Sequence, residues 1–253
     1  MTKTICLVYH ESNFTNIYSR LVRCWLRYHR LSRSQSEPIL ITDNNSDTSF
    51  WPLSTIKCEI PHFDPPASSD RHANLYKCAW LKSRCFDLVG PCVVIEPDAL
   101  LLRNIDDLFD LDCGMAMCQF HHLDDRYKVP NITTHLMCQI QQWKTNDLIL
   151  GKALMGGVQF HNVSISEMYE HYFNRRQEDW ICNSVYNNGA KCGLAITEFI
   201  FSIICSQIGT IIPHEYNWLN MWGDHPEETR VLHFAGDLSC KQKMLDFARS
   251  RII

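Results

Sequence analysis

The chain has 253 residues, which is long enough for one large domain with a substantial hydrophobic core. Hydrophobic residues make up 45% and charged residues 21%, and this composition excludes an intrinsically disordered or collagen-like chain. The net charge of −4 argues against a protein that binds nucleic acid over its whole surface, but it leaves room for a local basic face.

The apolar runs and the first residues of the sequence indicate the cellular compartment of the protein. No apolar run reaches the roughly 18 residues that a membrane helix needs, and the first residues lack the pattern of a signal peptide. The chain contains 13 cysteines, and no two of them have the spacing of a zinc knuckle or a thioredoxin motif. We therefore expect a cytoplasmic protein with reduced, mostly buried thiols.

The first half of the sequence alternates predicted strands with predicted helices. Apolar, β-branched runs predict strands over residues 4–10, 38–42, 55–60 and 92–95, and helical spacing predicts helices over residues 16–30 and 74–88. Strands separated by helices indicate a parallel sheet with crossover connections. In such sheets ligands bind beyond the carboxyl ends of the strands, so we expect chemistry just after Ile95 and around Tyr9.

The second half is less regular. Strands are predicted over residues 114–120, 157–161, 210–213 and 230–234, and helices over residues 166–174, 180–187, 197–206 and 241–251. A polar loop over residues 121–134 is a candidate lid. No internal repeat and no low-complexity segment divides the chain, so we expect a single folded unit.

Two carboxylates separated by one residue, Glu96 and Asp98, directly follow the strand predicted over residues 92–95. At the end of a buried strand they leave the sheet together, toward the place where a ligand is expected. A divalent cation that bridges a diphosphate needs hard oxygen ligands of this kind. Taken alone, the acid-x-acid pattern fits a polar strand end equally well.

The segment from residue 75 to residue 111 resembles the core of glycogenin-like glycosyltransferases, the retaining GT-A group that uses nucleotide sugars. That family has a lysine-containing helix, a buried strand, Asp-x-Asp, a short apolar run and Asn-Ile-Asp-Asp-Leu-Phe. Here the corresponding residues are Lys77, residues 92–95, Glu96-Pro97-Asp98 and residues 104–109. Two weaker similarities follow in the family's order, at residues 156–160 and 231–236.

The resemblance implies an α/β, GT-A (Rossmann-like) three-layer fold with a mostly parallel central sheet. It implies one domain over residues 1–253, with a nucleotide-binding half over 1–112 and an acceptor-side half over 113–253. The implied reaction moves a sugar from a nucleotide diphosphate sugar, typically a UDP-sugar, to a hydroxyl acceptor with retention, and it depends on Mn²⁺ or Mg²⁺.

The resemblance also implies roles for individual residues. Glu96, Asp98 and His233 would bind the metal, and Glu198, together with Asp98, would be catalytic. The residues implied to bind the nucleotide sugar are Val8, Tyr9, His10, Arg71, Lys77, Gly157, Gly236 and Lys241. The sequence departs from the family in having Glu96 for the first Asp, Met155 for an Asn and Thr197-Glu198 for Asp-Gln.

Several residues have simpler interpretations. Tyr9 either packs in the core or stacks on the nucleotide base, and His233 on its own fits a half-buried strand-end histidine. Glu198 follows Thr197 at the start of an apolar run, where it would cap a helix. The departures from the family also leave open a catalytically inactive nucleotide-sugar-binding protein.

Arginines recur at three- and four-residue spacing along the first predicted helix. Arg20, Arg23, Arg27 and Arg30 lie within about a quarter of the helix circumference, with no acidic residue between them. A solvated face is the simpler interpretation, but such a row also suits a polyanion. Two classes of acceptor therefore stay open: a glycan or protein, and a hydroxylated base in phage or viral DNA.

Overall fold

The computed structural model describes residues 2–10, 15–49, 51–62, 70–119, 154–174, 193–236 and 238–250. The side chains of residues 15–16, 70–75, 119, 193–199 and 221 lie outside that description. The loop predicted over residues 121–134 and the helix predicted over residues 180–187 also lie outside the described residues. Of the helices in the described ranges, none is both long and apolar enough to cross a membrane.

Seven strands form the central sheet. They are β1 (Thr4–Val8), β2 (Glu37–Asp43), β3 (Ser54–Cys58), β4 (Cys92–Ile95), β6 (Met115–Gln119), β7 (Leu154–His161) and β8 (Gly209–Ile212). Their order across the sheet is β3-β2-β1-β4-β7-β6-β8. β7 is antiparallel to both of its neighbours and the other pairings are parallel, so the sheet is mostly parallel, as predicted.

A smaller sheet of three strands accompanies the central one. Its strands are β5 (Ala99–Leu101), β9 (Trp218–Leu219) and β10 (Val231–His233). Their order is β5-β10-β9, in which β10 is antiparallel to β5 and parallel to β9. Only residues 96–98 separate β4 from β5, so the chain passes from the central sheet into the small sheet through the acid-x-acid segment.

Helices cover both faces of the central sheet. They are α1 (Thr15–Leu31), α2 (Asp70–Val89), α3 (Ser166–Asn174), α4 (Gly193–Ile208) and α5 (Leu238–Ser250). Because successive side chains of a strand point to opposite faces, Ile5 and Leu7 of β1 pack in the cluster that contains α1, and Cys6 packs with Cys85 of α2. The result is a three-layer α/β arrangement.

The sequence pattern predicted the first helix, α1, correctly, and the burial of its apolar residues explains why. Leu21, Val22, Trp25 and Tyr28 recur at helical spacing and are all buried in the hydrophobic core that α1 shares with the sheet and α5. The four arginines of the same helix are exposed. This division places them on the outer surface of the molecule.

Candidate active site

Glu96 and Asp98 lie in the turn between β4 and β5. The turn is closed by the backbone N–H of Ala99, which donates to the carbonyl oxygen of Glu96 at 3.1 Å. It is anchored on one side by the N–H of Glu96, which donates to the carbonyl of Gly157 at 3.1 Å, and on the other by the N–H of Phe234, which donates to the carbonyl of Asp98 at 2.9 Å. The two carboxylates are therefore held between β7 and the end of β10.

The last residue of β10 brings an imidazole to the same place. His233 is paired with Ala99 across the two strands, which sets it beside Asp98. Its Nε2 lies 3.1 Å from Oε2 of Glu96 and 3.5 Å from Oδ1 of Asp98. Ligand atoms of the three side chains lie within 4.8 Å of one another, so residues far apart in the sequence form one cluster.

Asn217 fixes the orientation of the imidazole. Nδ1–H of His233 donates to Oδ1 of Asn217 at 3.0 Å, which turns Nε2 toward the carboxylates. Nε2 is buried and faces one oxygen of each carboxylate. A metal-ligating imidazole is usually held in this way, by a hydrogen bond from its other ring nitrogen.

Gly157 makes room for the imidazole ring. A Cβ atom at this position of β7 would lie 2.3 Å from Nδ1 and 2.4 Å from Cε1 of His233, closer than real contacts allow. The structure places this glycine, which the sequence resemblance assigned to the nucleotide-sugar site, against the ring of His233, because only glycine lets β7 approach the ring so closely.

Two buried lysines accompany the carboxylates. Lys82 of α2 pairs with Oε1 of Glu96 and also donates to the carbonyl of Gly156 at 3.1 Å. Lys241 of α5 pairs with Oδ2 of Asp98 and donates to the carbonyl of Phe234 at 3.0 Å. Each carboxylate therefore has one oxygen held by a lysine and the other directed toward His233.

The protonation states follow from these contacts. Burial alone lowers the pKa of His233, but the carboxylates of Asp98 and Glu96 outweigh it and raise the pKa to about 9. Burial raises the pKa of Glu96, whereas Lys82 and His233 hold it well below its usual range. Burial likewise raises the pKa of Asp98, and Lys241 and His233 bring it below its usual range. Both acids are therefore ionised at neutral pH.

This set of donors fits a divalent cation. Carboxylate oxygens are ligands for Mg²⁺ and Mn²⁺, and an imidazole nitrogen is compatible with Mn²⁺. Nε2 of His233 faces both carboxylates, and Gly157 lets β7 pack closely against the imidazole ring. The three ligand atoms thus lie close enough together to contact one ion.

A second polar group lies at the carboxyl ends of β1 and β2. Nδ1 of His10 lies 3.3 Å from Oδ1 of Asp43, and Nε2 of His10 lies 3.3 Å from Nζ of Lys77. Tyr9 is buried, with its ring centroid 4.7 Å from that of Trp51. Lys77, expected at the donor phosphate, thus lies beside His10 rather than beside the carboxylates. The surroundings of Tyr9 are those of a core residue, and its stacking on a base stays a prediction.

The structure brings together five of the residues singled out from the sequence: Glu96, Asp98, Gly157, His233 and Lys241. Val8 is buried at the end of β1, and Gly236 has a φ of +122° in the segment between β10 and α5. Arg71 and Glu198 lie in α2 and α4, but their side chains are outside the described residues. Their assigned roles stay predictions.

Sequence reasoning missed Lys82 and Asn217. Lys82 lies more than one helical turn farther along α2 than Lys77, and so reaches Glu96 instead of His10. Nothing in the sequence between Lys82 and Glu96 signals the contact. Asn217 precedes the two-residue strand β9, which is too short to be recognised from a pattern.

Comparison with known proteins gives the fold. No protein-family model matches the sequence, and no curated protein matches it either. Among solved structures, the chain is similar to the galactosyltransferase LgtC in complex with donor and acceptor sugar analogues, at 9% identity and a TM-score of 0.56, covering 99% of this chain and 96% of LgtC.

Two further solved structures match over nearly their full length. Mouse xyloside xylosyltransferase 1 is 10% identical with a TM-score of 0.58, covering 95% of this chain and 99% of the mouse protein. A glycosyltransferase involved in the glycosylation of the major capsid of PBCV-1 is 10% identical with a TM-score of 0.51, covering 98% of this chain and 99% of that protein. These similarities confirm the resemblance predicted from the sequence at the level of structure: the chain has the α/β, GT-A fold of glycosyltransferases.

Proposed function

We propose that the protein is a metal-dependent glycosyltransferase, which moves a hexose or pentose from a nucleotide diphosphate sugar to a hydroxyl group. By family resemblance the nucleotide is UDP. The observation that carries the proposal is the convergence of Glu96, Asp98 and His233 at the strand ends of a glycosyltransferase fold. The same chemistry supports donor hydrolysis when no acceptor is bound.

The residues of the cluster have distinct tasks in this proposal. Glu96, Asp98 and His233 would hold Mn²⁺ or Mg²⁺, which when bound neutralises charge on the leaving diphosphate. Asn217 keeps Nε2 of His233 directed at the ion site, and Lys82 holds one oxygen of Glu96 so that the other faces inward. Lys241 is a cation at the edge of the same site, where it would contact a phosphate oxygen.

The remaining nucleotide-sugar roles are proposed from the sequence resemblance. Val8, Tyr9 and His10 would line the base pocket at the end of β1, together with Lys77, which already contacts His10. Arg71 and Gly236 would lie along the donor, and Glu198 would lie near the anomeric carbon. Retention at that carbon follows from the same resemblance.

The alternative function is a nucleotide-sugar-binding protein without turnover. It is favoured by the departures from the family pattern, Met155 in place of Asn and Thr197-Glu198 in place of Asp-Gln. Met155 is buried in the core, where a thioether cannot replace the hydrogen bonds of an amide. The two functions differ in one observable: only a transferase releases the nucleoside diphosphate.

The test is incubation with a panel of nucleotide sugars and Mn²⁺, with release of the nucleoside diphosphate as the readout. We expect release from at least one donor, and a loss of about a hundredfold or more in Asp98→Ala. Asp112→Ala removes an exposed carboxylate outside the cluster and is the matched control, so it should retain full release. Donor binding without release, over a broad range of acceptors, would establish the binding protein instead.

A further inference from the structure

The outer side of α1 carries a row of four exposed arginines: Arg20, Arg23, Arg27 and Arg30, here called the arginine face. Their spacing of three, four and three residues places them on one side of the helix, within an arc of about 80°. The row is about 15 Å long, since each residue of a helix adds about 1.5 Å along the axis. It is a straight, single-sign strip on a protein whose net charge is −4.

The arginine face has no compensating acids. α1 contains no aspartate or glutamate, and within the described residues none of the four guanidinium groups lies in an ion pair or hydrogen bond. Four other arginines of the described chain lie beside carboxylates: Arg84 with Glu170, Arg103 with Glu227, Arg230 with Asp107 and Arg249 with Asp246. Solvent-exposed helices often carry pairs of opposite charge on adjacent turns, and α1 has no such pair.

The neighbouring helix α5 brings one more arginine near the arginine face, and this one is paired with Asp246 of its own helix. α5 packs against α1, and its residue Arg249 acts on the same Cys24 thiol as Arg20 and Arg27 do. Burial raises the pKa of that thiol, while the three guanidinium charges act on it in the opposite direction. Arg249 therefore lies near the arginine face, although its charge is shared with Asp246.

We propose that the arginine face binds the sugar–phosphate backbone of a nucleic acid. Phosphates on one strand of a duplex are spaced by about 3.4 Å along its axis, so a strip of about 15 Å spans roughly four of them. Guanidinium groups bind phosphate oxygens in a bidentate manner, and arginine is the residue best suited to this contact. The inference concerns binding alone and holds whether or not the protein transfers a sugar to the bound molecule.

An anionic membrane is the competing partner, and the structure disfavours it. Helices that lie on membranes insert an apolar face beside their basic one. The apolar face of α1, with Leu21, Val22 and Trp25, is buried against the sheet instead. The outer side therefore offers charge alone, and a polymer with closely and regularly spaced phosphates satisfies a row of guanidinium groups best.

The test measures binding of fluorescent 20-mer DNA duplexes, single-stranded DNA and RNA by anisotropy over a series of salt concentrations. For the unmodified protein we expect log Kobs to fall with log salt with a slope of about −4 on duplex DNA, since each of four phosphate contacts contributes about −0.9. Replacing all four arginines by glutamine should bring the slope near zero and weaken binding at low salt by at least about a hundredfold.

Matched double variants separate the arginine face from overall charge. Arg23→Gln/Arg27→Gln removes two charges from the face, and Lys57→Gln/Arg84→Gln removes two from β3 and α2, outside the face. Only the first pair should make the slope shallower, by about 2. Release of nucleotide from donor sugars, without acceptor, should be the same in both.

Three outcomes overturn the proposal. They are the absence of nucleic-acid binding at low salt, an equal loss in the two double variants, and binding to phosphatidylglycerol vesicles without binding to any nucleic acid. Comparison of the duplex, single-stranded DNA and RNA arms identifies the preferred polymer. Failure of the donor panel leaves these binding measurements unaffected, so the two proposals are tested separately.

Discussion

At the scale of residues, the candidate site contains side chains that orient the proposed metal ligands as well as those ligands themselves. Asp98 was predicted from a segment whose order and spacing resemble the family's, and His233 from a weaker similarity that follows in the same order. Lys82 and Asn217 were not predicted, because each acts through a contact across the fold, at Glu96 and His233 respectively. A contact of that kind leaves no pattern in a single sequence.

Lys82 orients Glu96 by holding its Oε1, but its buried positive charge would also repel a metal ion at the proposed site. Replacing it with methionine, Lys82→Met, removes a buried positive charge from the cluster, so we expect Mn²⁺ to bind about tenfold more tightly in the absence of nucleotide, an effect of about 1.4 kcal/mol. Lys82→Arg keeps the charge and should bind Mn²⁺ as the unmodified protein does. Calorimetric titration with Mn²⁺ measures both, and weaker binding by Lys82→Met would show that the lysine supports the ion instead.

At the scale of elements, strands and helices with strong periodicity were predicted well, and short elements were not. β4 and α3 have the predicted bounds, because four consecutive apolar residues and a complete amphipathic pattern leave little ambiguity. The short strands β5, with three residues, and β9, with two, were missed. Both pair with β10, which follows them in the sequence after intervening structure, so tertiary contacts rather than local preference define them.

The close approach of β7 to β10 is tested by Gly157→Ala. The added Cβ would overlap the ring of His233, so we expect a loss of about 1–3 kcal/mol in the free energy of unfolding. Because the ring must move to admit the methyl group, we also expect a marked loss of Mn²⁺ affinity. Urea unfolding and calorimetric titration with Mn²⁺ measure the two effects.

Gly90→Ala is the control for that variant. Gly90 has a φ of +76°, and no atom lies within 4 Å of the position that a Cβ would occupy. Its substitution should therefore cost about 1 kcal/mol of stability through backbone strain alone and leave Mn²⁺ binding unchanged. Equal Mn²⁺ affinities in Gly157→Ala and the unmodified protein would mean that the ring of His233 is not at the ion site.

At the scale of the whole molecule, alternation of strands and helices in the first half predicted the mostly parallel sheet, and the candidate cluster lies just after β4, where a ligand was expected. The sequence pattern did not predict the small sheet or the antiparallel position of β7 between β4 and β6, because both depend on pairings between distant segments. The division into a nucleotide-binding half and an acceptor-side half stays a prediction.

The core also makes folding stability depend on pH, through His161 on β7. Its Nε2 lies 2.9 Å from Oε1 of Gln159 in the protein interior. Burial, reinforced by the charge of Lys82, lowers the pKa of His161 to about 3. Between that value and its usual pKa the unfolded chain binds a proton that the folded chain does not, so stability falls as the pH is lowered through this range.

We expect this histidine to account for about 2 kcal/mol of the stability lost between pH 7 and pH 5. His161→Gln, which is uncharged at every pH, should lose about that much less over the same interval. Urea unfolding at the two pH values measures the difference. Identical losses in the two proteins would show that His161 is protonated in the folded state as readily as in the unfolded chain.

The most direct test of the proposed metal site is titration of the protein with Mn²⁺ in the presence of UDP, with binding measured by electron paramagnetic resonance or by calorimetry. The convergence of Glu96, Asp98 and His233 predicts one bound ion per chain, and an Asp98→Asn variant that binds it at least about a hundredfold more weakly. Asp112→Asn, with its carboxylate outside the cluster, should bind as the unmodified protein does. Equal affinity in Asp98→Asn and the unmodified protein would contradict the assignment of the cluster as the ion site.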